Sequence, residues 1–155
     1  MQTKKYFFFD IDGTLTDIQT GIPVPSALET IKKLQDKGHF VAIATGRAYY
    51  KTKDTAKMLG IHNLVSNGGA ALIYNDEFVT NSPLDREKAL ALIHEADEKG
   101  FGILIAVNDS IDVVMKDERF IEQVGERQEG RKEIESVADE VIYVPYCIDE
   151  VSPVL

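Results

Sequence analysis

The sequence predicts an α/β fold built on an open, parallel sheet, and three observations carry that expectation. Tyr6-Phe7-Phe8-Phe9 is an unbroken run of strand-favouring aromatics that ends at an Asp-Gly turn signal. His39 to Ala44 is a second apolar run, ending at Thr45-Gly46-Arg47. Between them Ala27, Leu28, Ile31 and Leu34 recur at helical spacing before Gly38.

Taken in order, Lys5 to Ile11 reads as a buried strand that delivers Asp10 to a loop, and the following helix runs for about three turns. After the second strand, Ala48 to Leu59 suits a helix closed by Gly60. Leu64 to Ser66 makes a short third strand, ending in Asn67-Gly68-Gly69. The alternation implies right-handed crossovers and polar loops at the carboxyl ends of the strands, where open α/β sheets bind ligands. Ala71 to Tyr74 and Glu77 to Thr80 flank Asn75-Asp76 as a hairpin, and a boundary is expected near Ser82-Pro83. Beyond it, Asp85 to Lys99 is an amphipathic helix, Gly102 to Val107 and Ile111 to Met115 are strands, and Asp117 to Val124 is a short helix. Glu126 to Glu135 reads as a charged helix or loop, and Val141 to Val144 as a last strand. No internal repeat or low-complexity tract is visible.

Composition narrows the function classes. With 155 residues, 44% hydrophobic and 28% charged, the chain can bury an ordinary core. Its net charge of −9 argues against a broad nucleic-acid surface. The Tyr6 to Phe9 run is far shorter than the roughly 20 residues of a membrane helix, so a cytoplasmic protein with no membrane partner is expected. Cys147 is the only cysteine, which rules out an intramolecular disulfide or a thiolate metal cage; it reads as a core thiol. His39, His62 and His94 lack metal-ligand spacing and read as structural or surface residues, as Tyr49-Tyr50 reads as packing for the second helix.

The chemistry concentrates at Asp10 and Asp12. In extended chain the period of two puts both carboxylates on one side, with Ile11 facing the other way. Like charges so close repel, and either a bound divalent cation or a shared proton relieves them. One carboxylate can attack phosphorus while the other protonates the leaving alkoxide and then activates water. Magnesium, which seeks hard oxygen ligands, suits such a pair. Two other readings stand beside this one: an acidic turn before Gly13, and a calcium loop. The latter needs Glu at its twelfth position, where this chain has Gly21.

Phe8-Phe9-Asp10-Ile11-Asp12-Gly13-Thr14-Leu15 resembles the first motif of the haloacid dehalogenase-like superfamily. Ala44-Thr45-Gly46-Arg47 resembles its second motif, and Ser66-Asn67-Gly68-Gly69-Ala70 a loop of its Cof-type phosphatases. The resemblance implies a Rossmann-like core over residues 1–83, incomplete, and an α/β cap domain, whole or partial, over 84–155. It implies Asp10 as nucleophile and magnesium ligand, and Asp12 as acid/base with its carbonyl on the metal. Ile11, Thr45 and Gly46 would bind phosphate. Arg47 would contact substrate or cap its loop, and Asn67 would contact substrate or serve as a turn residue. An Asp at position 12 favours phosphatase or phosphomutase over dehalogenase, although nothing here favours the mutase. The substrate would be a small phosphorylated metabolite.

The sequence departs from the family where a third-motif Lys and a Gly-Asp-x-x-Asn-Asp motif should follow the cap. Neither is present, and Lys116, Lys132 and Asp149-Glu150 do not replace them. A core this short leaves an open hydrophobic sheet edge, to be covered by another chain, by self-association or by altered pairing. The expected function is magnesium-dependent phosphate-monoester hydrolysis through an aspartyl-phosphate. The alternative is a catalytically incomplete fragment or binding module on the same fold.

Overall fold

The computed structural model describes residues 3–106, 109–110, 113–125 and 141–143, and the chain divides into two compact units, Met1–Ser82 and Pro83–Leu155. In the first unit β1 (Tyr6–Phe9), α1 (Pro25–Asp36), β2 (Phe40–Ala44), α2 (Tyr49–Leu59) and β3 (Leu64–Ser66) alternate as the apolar pattern predicts. A single 3-10 turn, Asn67–Gly69, leads into the hairpin of β4 (Ala71–Tyr74) and β5 (Glu77–Asn81). The strands lie in sequence order, β1 to β2 to β3 parallel and β3 to β4 to β5 antiparallel. Asn75 and Asp76 both take positive φ, as a two-residue turn joining twisted strands requires.

Pro25 starts α1 without losing a hydrogen bond, since the first helical amides have no partner within the helix. Gly60 ends α2 in the left-handed conformation, with its amide on the Ala56 and Lys57 carbonyls. Because the strand order advances in one direction and crossovers are right-handed, both helices fall on the same face of the sheet. That face holds Val41, Ile43, Leu64, Ala71 and Ile73, packed against Ala27 and Ile31 of α1 and Ala56 and Leu59 of α2. Ile43 and Ile73 are completely buried, and each such side chain contributes about 1.5–3 kcal/mol.

The opposite face departs from the expectation of a buried first strand. The register Tyr6↔Phe40, Ala44↔Val65↔Leu72 puts Tyr6, Phe8, Phe40, Ala42, Val65, Leu72 and Tyr74 on it. Tyr6 is 63% exposed and Phe8 55%. The physical reason is that no helix of the unit lies on this side, so alternate aromatics of the run meet solvent while Phe7 and Phe9 turn toward the helices.

In the second unit α3 (Arg86–Glu98) is capped by Asp85, whose carboxylate accepts the Lys88 amide at 3.0 Å. It is followed by β6 (Leu104–Ala106), β7 (Val113–Met115), α4 (Arg119–Gly125) and β8 (Val141–Tyr143). β6 and β7 are antiparallel, β7 and β8 parallel. Ala89 and Ile93 of α3 pack with Leu90, Ile103 and Ile105. Asp97 accepts from Lys116 at 2.7 Å and from Arg119, which also grips Asp117 through Nε at 2.9 Å. Lys116, first of all, and then Arg119 hold the Asp97 carboxyl below the ordinary carboxylate value, and Arg119 does the same to Asp117. Gly102 lies against the start of α4, where an added Cβ would fall 2.0 Å from the Phe120 amide nitrogen. No helix among the described residues is long and apolar enough to cross a membrane. The expectations for Glu126 to Glu135, Lys132, Cys147 and Asp149-Glu150 lie outside the described residues.

Candidate active site

The three parallel strands end side by side, and their loops form the site. Asp10 leaves β1 exposed to solvent, whereas Ile11 turns inward and is 1% exposed. The chain then folds tightly on the Ile11 carbonyl, which accepts the amides of Thr14 (3.2 Å), Leu15 (3.0 Å) and Thr16 (3.0 Å) and the Thr16 hydroxyl (3.0 Å). Gly13 sits inside this loop at φ +70, a conformation that side-chain-bearing residues resist, and donates its amide to the Thr16 carbonyl. Leu15 and Thr16 are buried beneath it, which anchors the loop to the core. The next turn is held by Asp17, whose carboxylate accepts the Gln19 and Thr20 amides and the Thr20 hydroxyl. The Thr20 amide, then its hydroxyl, lower the Asp17 pKa. The Asp-x-x-Thr spacing could have revealed this turn, and the sequence reading missed it.

The second and third loops are stitched together. Thr45 is buried; its amide donates to the Val65 carbonyl at 2.9 Å, its hydroxyl accepts the Arg47 amide at 3.2 Å, and its carbonyl accepts the Gly68 amide at 3.3 Å. The Asn67 amide donates to the Arg47 carbonyl at 2.9 Å. Asp10, Ala44, Thr45, Gly46, Val65, Gly68 and Gly69 enclose an open cavity of about 370 Å³. Of the residues expected to act together, Asp10, Thr45 and Gly46 therefore share one concavity. Asn67 has positive φ, and its side-chain amide reaches Asn81 at 3.4 Å. The buried Ser66 hydroxyl, beneath this floor, makes no hydrogen bond among the described residues.

Arg47 does something the sequence did not foresee. Its guanidinium grips Asp12 with two nitrogens, Nε at 3.0 Å from Oδ2 and Nη2 on Oδ1, with both side chains 44% exposed. This fork supplies a third relief for the crowded carboxylates, beside the cation and the shared proton, and it fixes the Asp12 side chain in one orientation. His39 Nδ1 accepts the Lys5 amide, and His62 pairs with Asp76 at 2.6 Å beside the hairpin turn. Lys116 is engaged by Asp97.

Among the described residues no group of three or more His, Cys, Asp or Glu side chains forms a metal cage. Magnesium does not require one: it commonly uses one or two carboxylates and completes its shell with water and substrate phosphate. The Asp10 carboxylate and the Asp12 backbone carbonyl, hard oxygen donors two residues apart, fit that habit, while Arg47 holds the Asp12 carboxylate.

A family model described as haloacid dehalogenase-like hydrolase matches residues 7–145. The chain is 32% identical over 114 residues to YkrA of Bacillus subtilis (strain 168), covering 74% of this chain and 44% of that protein. It is 30% identical over 129 residues to the 5-amino-6-(5-phospho-D-ribitylamino)uracil phosphatase YitU of the same organism, covering 79% and 47%. A solved structure from Geobacillus kaustophilus HTA426 superposes with a TM-score of 0.70 at 27% identity, over 97% of this chain and 55% of that one. The chain thus spans about half the length of these relatives.

Proposed function

The chain belongs to the haloacid dehalogenase-like hydrolase family, and from that membership and the site geometry we propose that it serves phosphate-monoester hydrolysis on a small phosphorylated metabolite. The observation that carries the reading is the cavity that Asp10 lines together with the Thr45 and Gly46 loop. In the proposed reaction an Asp10 oxygen attacks phosphorus, the bond from phosphorus to the substrate oxygen breaks, and Asp12 gives its proton to the departing alkoxide. Asp12 then takes a proton from water, which attacks the aspartyl-phosphate, releasing phosphate and restoring the Asp10 carboxylate. The Thr45 hydroxyl and the backbone amides of Ile11 and Gly46 are the groups assigned to the phosphoryl oxygens.

Magnesium, when bound by the Asp10 carboxylate and the Asp12 carbonyl, would offset the charge shared by nucleophile and phosphate. Arg47 keeps Asp12 aligned, and Asn67 serves chiefly as the turn residue that ties the third loop to the second. The Pro83–Leu155 unit is assigned the role of cap, the part that sets substrate choice in proteins of this kind. The name of YitU, a phosphatase acting on a phosphorylated ribitylamino compound, supports a small phosphorylated metabolite as the substrate class.

Coverage of about half of each relative favours a second reading, an incomplete module that binds phosphate without turnover. Hydrolysis of para-nitrophenyl phosphate, with and without magnesium and alongside Asp10→Asn, decides between them. Turnover that needs both the metal and Asp10 supports the phosphatase; equal inertness of wild type and variant supports the module.

A further inference from the structure

We infer that Ile18 is a specificity residue that packs against the leaving alcohol of the substrate. The site then favours phosphate monoesters whose alcohol carries an apolar face, an aryl or alkyl group next to the ester oxygen, over those of fully hydroxylated polyols. The inference rests on the phosphatase reading and names the substrate class of that same site.

The reaction geometry locates the alcohol. In an in-line displacement the departing oxygen lies opposite the attacking Asp10 oxygen and within reach of Asp12, which protonates it. The first carbons of the alcohol therefore pass beside the Asp12-Gly13 stretch of the loop. Gly13 offers no side chain there, and Thr14 lines a separate cavity against α1, shared with Ser26 and Thr30. The side chain that overlies Gly13 is Ile18, whose Cδ1 stands 3.9 Å from the place a Gly13 Cβ would occupy. Ile18 is 78% exposed, so most of its surface is open to a ligand.

A single exposed isoleucine is common on protein surfaces; this one is held in place. From Leu15 to Val24 the chain forms a closed turn. The Asp17 amide donates to the Ile22 carbonyl at 3.0 Å, the Gly21 amide to the Asp17 carbonyl at 2.8 Å, and the Val24 amide to the Leu15 carbonyl at 3.0 Å. Thr16 and Pro23 add an antiparallel bridge. The Asp17 carboxylate, on the Gln19 and Thr20 amides, clamps the residues that follow Ile18. Buried Leu15 and Thr16 root the turn in the core. The branched side chain of Ile18 is itself stiff about its first torsion. An apolar group fixed in this way loses little freedom when a ligand covers it, and that preorganisation favours binding. Ile22, also exposed, adds apolar surface to the same turn.

The test compares kcat/KM of the 155-residue chain for phenyl phosphate and glycerol 3-phosphate, with magnesium, in wild type, Ile18→Ser, Ile18→Leu and Met58→Ser. Met58 is the control, an exposed apolar side chain at the C-terminal end of α2, away from the strand-end loops. In Ile18→Ser the preference for the phenyl ester is expected to fall about tenfold, chiefly through KM, as loss of an apolar contact does. Ile18→Leu and Met58→Ser should keep it. A second readout needs no turnover: the chain with 13C-labelled isoleucine methyl groups is titrated with phenylphosphonate and with inorganic phosphate. The methyl signal that Ile18→Ser lacks should move with phenylphosphonate, through the ring current, and not with phosphate.

An unchanged preference in Ile18→Ser overturns the inference, as does an equal loss for both esters. Phosphate binding with an Ile18 methyl silent to phenylphosphonate overturns it too, and leaves the phosphatase reading standing. A shifted methyl in a chain without turnover supports the contact and removes only the phosphatase reading. A chain that binds neither anion and hydrolyses neither ester overturns both.

Discussion

The Arg47 to Asp12 fork separates positioning from stability, and its energetics can be worked from its exposure. Both side chains are 44% exposed, so water competes for every charge-assisted bond and screens the attraction. Exposed ion pairs of this sort couple by about 0.2–1 kcal/mol in double-mutant cycles. The bidentate geometry puts this one toward the upper end of that range. For a domain the size of the Met1–Ser82 unit, a loss of 0.5–1 kcal/mol is about 2–8 °C in Tm. The assay is urea unfolding of wild type, Arg47→Gln, Asp12→Asn and the double variant. A coupling of at most about 1 kcal/mol is expected, and raising salt should shrink it. Coupling above about 2 kcal/mol, or coupling insensitive to salt, would refute the reasoning, because the fork would then be a structural clamp and not an orienting contact.

Other consequences follow from the same geometry. Ile43→Ala, at a completely buried position between both helices and the sheet, should cost about 2–5 kcal/mol by denaturant unfolding, with the m-value unchanged. Ser66→Ala should leave stability unchanged or raise it by up to about 1 kcal/mol, since it removes a buried hydroxyl that has no partner among the described residues; a clear loss would mean that the hydroxyl is engaged. Gly102→Ala should destabilise the second unit by about 1–3 kcal/mol, because the new methyl meets the Phe120 backbone, and hydrogen exchange should localise the effect to α4. Asp97→Asn tests the charge network through pH. Lys116 and Arg119 depress the folded carboxyl below its unfolded value of 3.8, so its contribution is present above that value and lost as pH falls through the folded one. The variant should melt lower than wild type at neutral pH, and the gap should close in acid.

Much of this was legible in the sequence for identifiable reasons. Strands and helices were readable where one apolar period dominates: the run at Tyr6 to Phe9, the Ile31 and Leu34 spacing, and the Asn75-Asp76 turn. The carboxylate pair was readable because a buried strand ending in two acids needs a chemical explanation. Which side of β1 would be covered was not, since a four-residue apolar run looks the same whether one face or two are buried. The Arg47 fork was also hidden, because it joins side chains 35 residues apart through loops whose path no local pattern fixes. The Asx-type turn at Asp17 was visible in principle, but it lay next to the louder signal of Asp10 and Asp12.

The most direct test of Asp10 as the nucleophile is to react the chain with para-nitrophenyl phosphate and magnesium, quench with borohydride, and map the product by peptide mass spectrometry. An acyl-phosphate is reduced where a free carboxylate is not, so the account predicts conversion of Asp10 to homoserine, dependent on substrate and absent from Asp10→Asn. Turnover without modification at Asp10, or modification at another carboxylate, would contradict it.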